Sequence, residues 1–221
     1  MEVTIEQAGW SDHKKLNGML FIKLFLSGFI LLSINANANS DWKLRRDESG
    51  VKIYTRSVAG SPFEEFRGEV TIPRTTLTGV LDVLTDVKNY PRNFPNCGSA
   101  QVLVQKNKYS DIHYLTIKAP WPVTDRDAIY EATTSLSQDG KRARIQLTPR
   151  GDFKAEDKKY IRVFNGSGFW ELEEIAPNTV RVVYQFHADP AGEIPAWIAN
   201  SVIVINPLRT LESLRNLSQR M

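Results

Sequence analysis

Arg126 is the side chain whose type and setting most invite chemistry. It lies in Trp121-Pro-Val-Thr-Asp-Arg-Asp-Ala128, a turn-forming stretch that runs into strand-like sequence. If that strand alternates, residues 126, 128 and 130 face inward while 127, 129 and 131 face outward. The guanidinium then points into an apolar interior. A buried arginine needs a partner, because an unpaired charge in low dielectric is costly. Two kinds of partner are open to it: the polar end of a bound molecule, or a protein group such as Asp125, Asp127 or a helix C-terminus. Either way the chemistry is recognition rather than bond making.

The usual catalytic groups do not assemble. His13, His113 and His187 are the three histidines, and no HExxH, CxxC or paired-histidine spacing occurs, so neither a metal nor a cofactor is expected. Cys97 follows Phe94-Pro-Asn96 without an obvious base and reads as an inert small residue. As a lone cysteine it can form no intrachain disulfide. There is no GxSxG elbow and no glycine-rich phosphate loop. Glu64-Glu65 and Glu173-Glu174 are adjacent along strands, so each pair splits between opposite faces and forms no acid–base dyad. No catalytic residue is assigned.

Large side chains suit a cavity better. Trp121, Tyr130, Trp170, Tyr184 and Phe186 are candidates to line one, each offering apolar area, and Trp and Tyr adding a polar handle. Plain core packing is the competing role for each. Ile198, Val202 and Ile205 recur at helical spacing, so one face of a helix looks towards the same space. Asp189-Pro-Ala-Gly192 is a loop ahead of that helix. Gly192 fits a turn that caps it.

The elements that must hold these residues follow from patterning. Turn signals at Glu48-Ser-Gly50, Gly60-Ser-Pro62, Ser137-Gln-Asp-Gly140, Pro149-Arg-Gly151 and Pro177-Asn178 separate runs that alternate apolar with polar. Phe66, Val70 and Ile72 form one such set; Ala143, Ile145 and Leu147 another; Val182, Tyr184 and Phe186 a third. Segments 101–106, 111–119, 126–136 and 166–175 read as further strands. Leu77, Val80, Leu81, Leu84 and Val87 carry the helical period, with Thr75 or Thr76 as N-cap and Pro91 as the stop. A second helix begins near Ile194, with Pro195 in its first turn and Pro207 expected to kink or divide it. From 197 to 205 it is apolar on nearly every side, which predicts burial on more than one face. Three strands, a helix, about six strands and a long helix make an α+β fold. A curved antiparallel sheet gripping the last helix satisfies that order. Its concave face receives Phe66, Val70, Ala128, Tyr130, Ile145, Leu147, Trp170, Leu172, Tyr184 and Phe186.

Composition is that of a globular domain: 221 residues, 42% hydrophobic and 24% charged, enough for one full-sized core. A net charge of +3 spread among mixed signs argues against nucleic acid as a partner. The N-terminus differs. Lys23 precedes the apolar run Leu24–Ile34, and Ala36-Asn-Ala38 supplies small residues for cleavage after Ala38. The run is shorter than the ~20 residues that span a bilayer. A cleaved export signal is expected, with Met19 a candidate start, residues 1–38 outside the fold, and a domain over 39–221. The location implied is periplasmic or secreted.

Taken in order, Trp121-Pro122…Arg126-Asp127, Asn89-Tyr-Pro91, and Ile194-Pro195…Trp197…Pro207…Thr210-Leu211…Leu214-Arg215 resemble a START domain, the module related to steroidogenic acute regulatory protein, of the bacterial exported type. The resemblance spans residues 41 to about 217. It implies the helix-grip (START / Bet v 1-like) fold, a tunnel for one lipid, an inward arginine at position 126 that orients a polar head group, and mobile loops at the cavity mouth. The family's usual N-terminal helix has no counterpart, since Asp41-Trp42 leads straight into strand-like sequence. The function implied is non-enzymatic binding and transport of a lipid or other hydrophobic small molecule by a monomer that touches membranes transiently. Two alternatives stay open: a helix-grip enzyme of cyclase or aromatase type, and a regulatory interaction module.

Overall fold

Alternation of apolar residues over so many short segments demands a sheet with one buried face, and the computed structural model, which describes residues 41–220, contains one of ten strands. In chain order these are β1 (Lys43–Glu48), β2 (Val51–Arg56), β3 (Glu65–Pro73), β4 (Cys97–Asn107), β5 (Ser110–Ile117), β6 (Arg126–Leu136), β7 (Arg142–Pro149), β8 (Ile161–Val163), β9 (Gly166–Ala176) and β10 (Thr179–Ala188). Helices α1 (Leu77–Thr85) and α2 (Tyr90–Asn93) follow β3, and α3 (Ala196–Ser218) follows β10. Neighbours run β1-β2-β3-β10-β9-β7-β6-β5-β4, all antiparallel, while β8 pairs parallel with the start of β6. This is the helix-grip α+β fold. The sequence-based expectations for the export signal and for residues 1–38 lie outside the described residues.

Packing of α3 on the sheet makes the main core. Val51, Ile53, Val70, Ile72, Leu172 and Val182 from the sheet meet Val204, Leu208, Leu211 and Leu214 from α3, with α1 adding Leu77, Val80 and Leu84. Each such side chain taken from water contributes roughly 1.5–3 kcal/mol. Gly68 permits the close approach: a Cβ there would stand 2.5 Å from Leu211 Cδ1 and 3.0 Å from Ile53 Cδ1. Helix α3 has therefore settled on β3 at a point where the strand has no side chain.

Several local expectations are revised. Thr76 caps α1, accepting from the Gly79 amide, but the helix ends at Thr85 rather than at Pro91. Pro91 instead sits in the first turn of α2, where a missing N–H costs nothing. Pro195 is the N-cap of α3, and the helix runs as one element through Pro207. Asp127 and Ile129 of the outward set of β6 are buried too. Ile129 packs with Ile112 and Tyr114, and Asp127 pairs with Arg162, so a second layer covers that face of the strand.

Candidate functional site

Strand β5 shows how the sheet builds a cavity. Its odd residues Asp111, His113, Leu115 and Ile117 line a cavity of about 230 Å³ beneath α3. Its even residues Ile112 and Tyr114 pack on the opposite face. Tyr130 from β6, Ile145 and Leu147 from β7, Trp170 from β9 and Tyr184 and Phe186 from β10 complete the wall, with Asn206 and Thr210 of α3 closing it. A second cavity of about 180 Å³ lies towards the loops, lined by Phe66, Val123, Arg126, Val163, Ile194, Ile198 and Val202 among others. Ile117, Tyr130, Phe186 and Asn206 border both. Tyr130 and Phe186 meet edge to face at 5.7 Å, so an aromatic partition divides an inner from an outer compartment. A larger depression of about 490 Å³ lies among charged residues such as Arg142, Glu171 and Arg181 and offers no apolar enclosure.

Arg126 is buried at the outer compartment, as its inward phase requires. Its donors go to backbone: Nε to the Pro190 carbonyl at 3.2 Å, Nη2 to that of Ala191 at 3.2 Å, and Nη1 to that of Thr124. No carboxylate among the described residues forms an ion pair with it. Desolvation pulls its pKa below the ordinary guanidinium value, with Asp125 opposing that effect. Asp125 is otherwise engaged, accepting from the Ala119 amide at 2.9 Å. Arg126 thus pins the loop 189–192, in which Ala191 and Gly192 have φ of 54° and 69°. The backbone partners satisfy its hydrogen bonds without cancelling its charge.

Asp127 serves a different pair. Arg162 grips it bidentately at 2.8 and 2.9 Å and also donates to the carbonyls of Gly151, Lys154 and Ala155. Both side chains are fully buried. This pair ties β8 and the 151–155 loop to β6. Sequence reasoning missed Arg162, because nothing local marks it as the partner of a residue 35 positions earlier.

Of the nine residues read from the sequence as ligand-binding, seven border the two compartments: Arg126, Tyr130, Trp170, Tyr184, Phe186, Ile198 and Val202. Two do not. Trp121 is 93% exposed, because the turn closed by the Val123 amide on the Pro120 carbonyl turns the indole outward. Ile205 is 41% exposed: it shares the solvent stripe of α3 with Ser201 and Arg209, one turn to either side, whereas Val202 and Asn206 face the cavity. Trp197 is also exposed, at 74%, which corrects the expected burial all round the first half of α3.

Other cavity residues were not foreseen. Asp111 and His113 stand two apart on one strand face, a signal available in the sequence, and His113 Nδ1 lies 2.6 Å from Asp111 Oδ1. Tyr90 and Phe94 reach in from α2, the Tyr90 hydroxyl donating to the Leu84 carbonyl at 2.5 Å. Burial raises the pKa of Tyr90, Tyr130 and Tyr184 above the ordinary phenol value. Cys97 is pushed up to about 11 by burial, so it is a neutral thiol in the cavity wall. The inner compartment is therefore apolar with a few polar groups, the Asp111 side chain among them.

Comparison with known proteins places this arrangement. Residues 76–212 match the model of the polyketide cyclase / dehydrase and lipid transport family. An uncharacterized protein of Pseudomonas aeruginosa is 34% identical over 205 residues, covering 93% of this chain and all of its own. The human phosphatidylcholine transfer protein is 22% identical over 168 residues, 75% of this chain and 78% of its own. Among solved structures, the STAR-related lipid transfer protein of Xanthomonas axonopodis has 35% identity and a TM-score of 0.75, covering 82% of this chain and 99% of its own. Human StAR-related lipid transfer protein 5, at 19% identity and a TM-score of 0.74 over 83% and 89% of the two chains, shares the fold.

Proposed function

We propose a lipid carrier on a premise of kinship: the chain belongs to the polyketide cyclase / dehydrase and lipid transport family, within its StAR-related lipid transfer (START) branch. The observation that carries the reading is the pair of apolar compartments held between α3 and the sheet. Each methylene moved there from water gains about 0.8 kcal/mol. Each compartment alone is smaller than the ~300–1,000 Å³ of ordinary ligand sites. A chain-like ligand occupies both once Tyr130 and Phe186 part.

The reading is non-enzymatic. Arg126, the strongest candidate for polarising a substrate, spends its donors on the carbonyls of residues 124, 190 and 191. That makes it a latch on the mouth loop, released when the phosphate or carboxylate of a lipid competes for the guanidinium. Trp121 and Trp197 flank the same mouth, each beside a lining residue (Pro120 and Ile198), and indoles of this exposure suit the membrane–water interface. The protein works as a monomer that docks by these two residues. The apolar run Leu24–Ile34 directs export, and cleavage after Ala38 leaves a periplasmic domain over 39–221; an intact mass beginning at Asn39 checks this.

The test is transfer of a fluorescent phospholipid between vesicles. The Trp121→Ala/Trp197→Ala pair is expected to slow transfer about tenfold while equilibrium lipid binding and stability stay unchanged. Transfer at the wild-type rate overturns the docking role, and absence of any transfer or binding by the folded wild type overturns the carrier reading.

A further inference from the structure

The end of the molecule remote from the cavity mouth holds a set of polar groups that the carrier role does not use. Ile198 at the mouth and Ser218 lie at opposite ends of α3, about 30 Å apart at ~1.5 Å per residue. Around Ser218 is a shallow depression bordered by Arg74 and Thr75 of the β3–α1 turn, the first turn of α1, and Asn178 of the β9–β10 turn. Thr75 is 6% exposed and its amide donates to the Asn178 carbonyl at 3.2 Å, but its hydroxyl has no hydrogen-bond partner among the described residues. That hydroxyl lies over the start of the helix. A Cβ at Gly79 would stand 3.1 Å from Thr75 Oγ1 and 3.5 Å from Thr76 Oγ1. Ser218, 1% exposed, backs the depression with an enclosed Oγ that is unpartnered as well.

The backbone adds donors at the same place. Thr76 Oγ1 accepts from the Gly79 amide, while the amides of Leu77 and Thr78 have no acceptor among the described residues. They open the N-terminus of α1, where the helix dipole favours negative charge. Arg74 is exposed, borders the depression and forms no ion pair among the described residues. Two features oppose an anion. Asp82 is exposed at the rim, one turn beyond Thr78 on the same helix face. Helix α3 also ends close by, but the carbonyls of Arg215 and Leu217 accept from the amides of Gln219 and Arg220. Two amides, a hydroxyl and a guanidinium outweigh one solvated carboxylate. A tetrahedral oxyanion meets donors from the helix, the turn and Arg74 at once, whereas a planar carboxylate meets fewer.

We propose that this depression binds a phosphate group through the Leu77 and Thr78 amides, the Thr75 hydroxyl and Arg74. Free phosphate and a phospholipid head group share that chemistry; the second brings another membrane to the end opposite the mouth. Inorganic phosphate is titrated into the full chain at constant ionic strength and followed by amide NMR shifts. Saturable shifts are expected at Leu77, Thr78 and Gly79, and none with chloride. Thr75→Val, which replaces the hydroxyl in a side chain of similar shape, is expected to weaken binding about tenfold, and Thr75→Ser to retain it. Arg74→Gln is expected to weaken it about fivefold and Asp82→Asn to tighten it about twofold. Flotation with phosphatidylglycerol or phosphatidylcholine vesicles then separates the sources, using the Trp121→Ala/Trp197→Ala protein so that the mouth does not dock. Flotation that Arg74→Gln abolishes assigns the site to head groups; phosphate binding without flotation assigns it to the free anion. Shifts at α1 that do not saturate, that chloride reproduces, or that persist unchanged in both Thr75→Val and Arg74→Gln overturn the site. Lipid uptake at the far end is measured separately and stands or falls on its own.

Discussion

At the scale of single residues, charge is handled in two ways on one strand. Asp127 and Arg162 cancel each other in a dry layer, while one position earlier Arg126 is left to backbone carbonyls. Removing one member of a buried pair strands the other, so Arg162→Leu is expected to cost about 3–5 kcal/mol, read as a lowered midpoint in urea. The double variant Arg162→Leu/Asp127→Leu is expected to recover part of that loss. A single variant within about 1 kcal/mol of wild type contradicts the structural role given to the pair. The sequence displayed Arg126 as the inward residue because strand phase alone decides it. Its partners were illegible, since carbonyls of a loop 64 residues away leave no mark on composition or spacing. The Asp111–His113 pair was legible in principle from an i, i+2 spacing. Metal-ligand spacing does not reveal it, because the histidine pairs with a carboxylate two residues away on its own strand.

At the scale of elements, α3 divides its surface into three stripes. Val204, Leu208 and Leu211 face the core, Val202 and Asn206 the cavity, and Ser201, Ile205 and Arg209 solvent. Apolar character between 197 and 205 marked the helix but not this division, because a residue type does not say which neighbour it meets. Ile205 and Trp197 were misassigned for that reason. The seat of the helix depends on Gly68, so Gly68→Ala is expected to force Leu211 or the helix aside and destabilise the domain by roughly 1–3 kcal/mol. Chemical denaturation checks this. A neutral or stabilising outcome, as expected for relief of glycine's backbone entropy alone, contradicts the close contact. Pro91 and Pro207 both belong to helices that local rules ended or bent, and their positions reflect tertiary packing over propensity.

At the scale of the molecule, most of the architecture was readable, since runs of alternating strands followed by one apolar helix admit few other packings. Strand order was not, because the β3–β10 pairing joins segments more than a hundred residues apart with no local signal. The division of the interior by Tyr130 and Phe186 was equally hidden: both were assigned to the concave face, but side-chain phase does not show which residues touch across it. Enclosure between α3 and the sheet is the feature on which the functional account depends. Native mass spectrometry of the protein purified from its own host measures it most directly, alongside Ala132→Trp, which fills the inner compartment from a buried position in its wall. The account predicts that folded wild-type protein carries an extractable lipid as a discrete mass excess and that Ala132→Trp, still folded, carries none. Folded wild-type protein without bound lipid, or a Trp variant that retains it, contradicts the claim that this space is the ligand site.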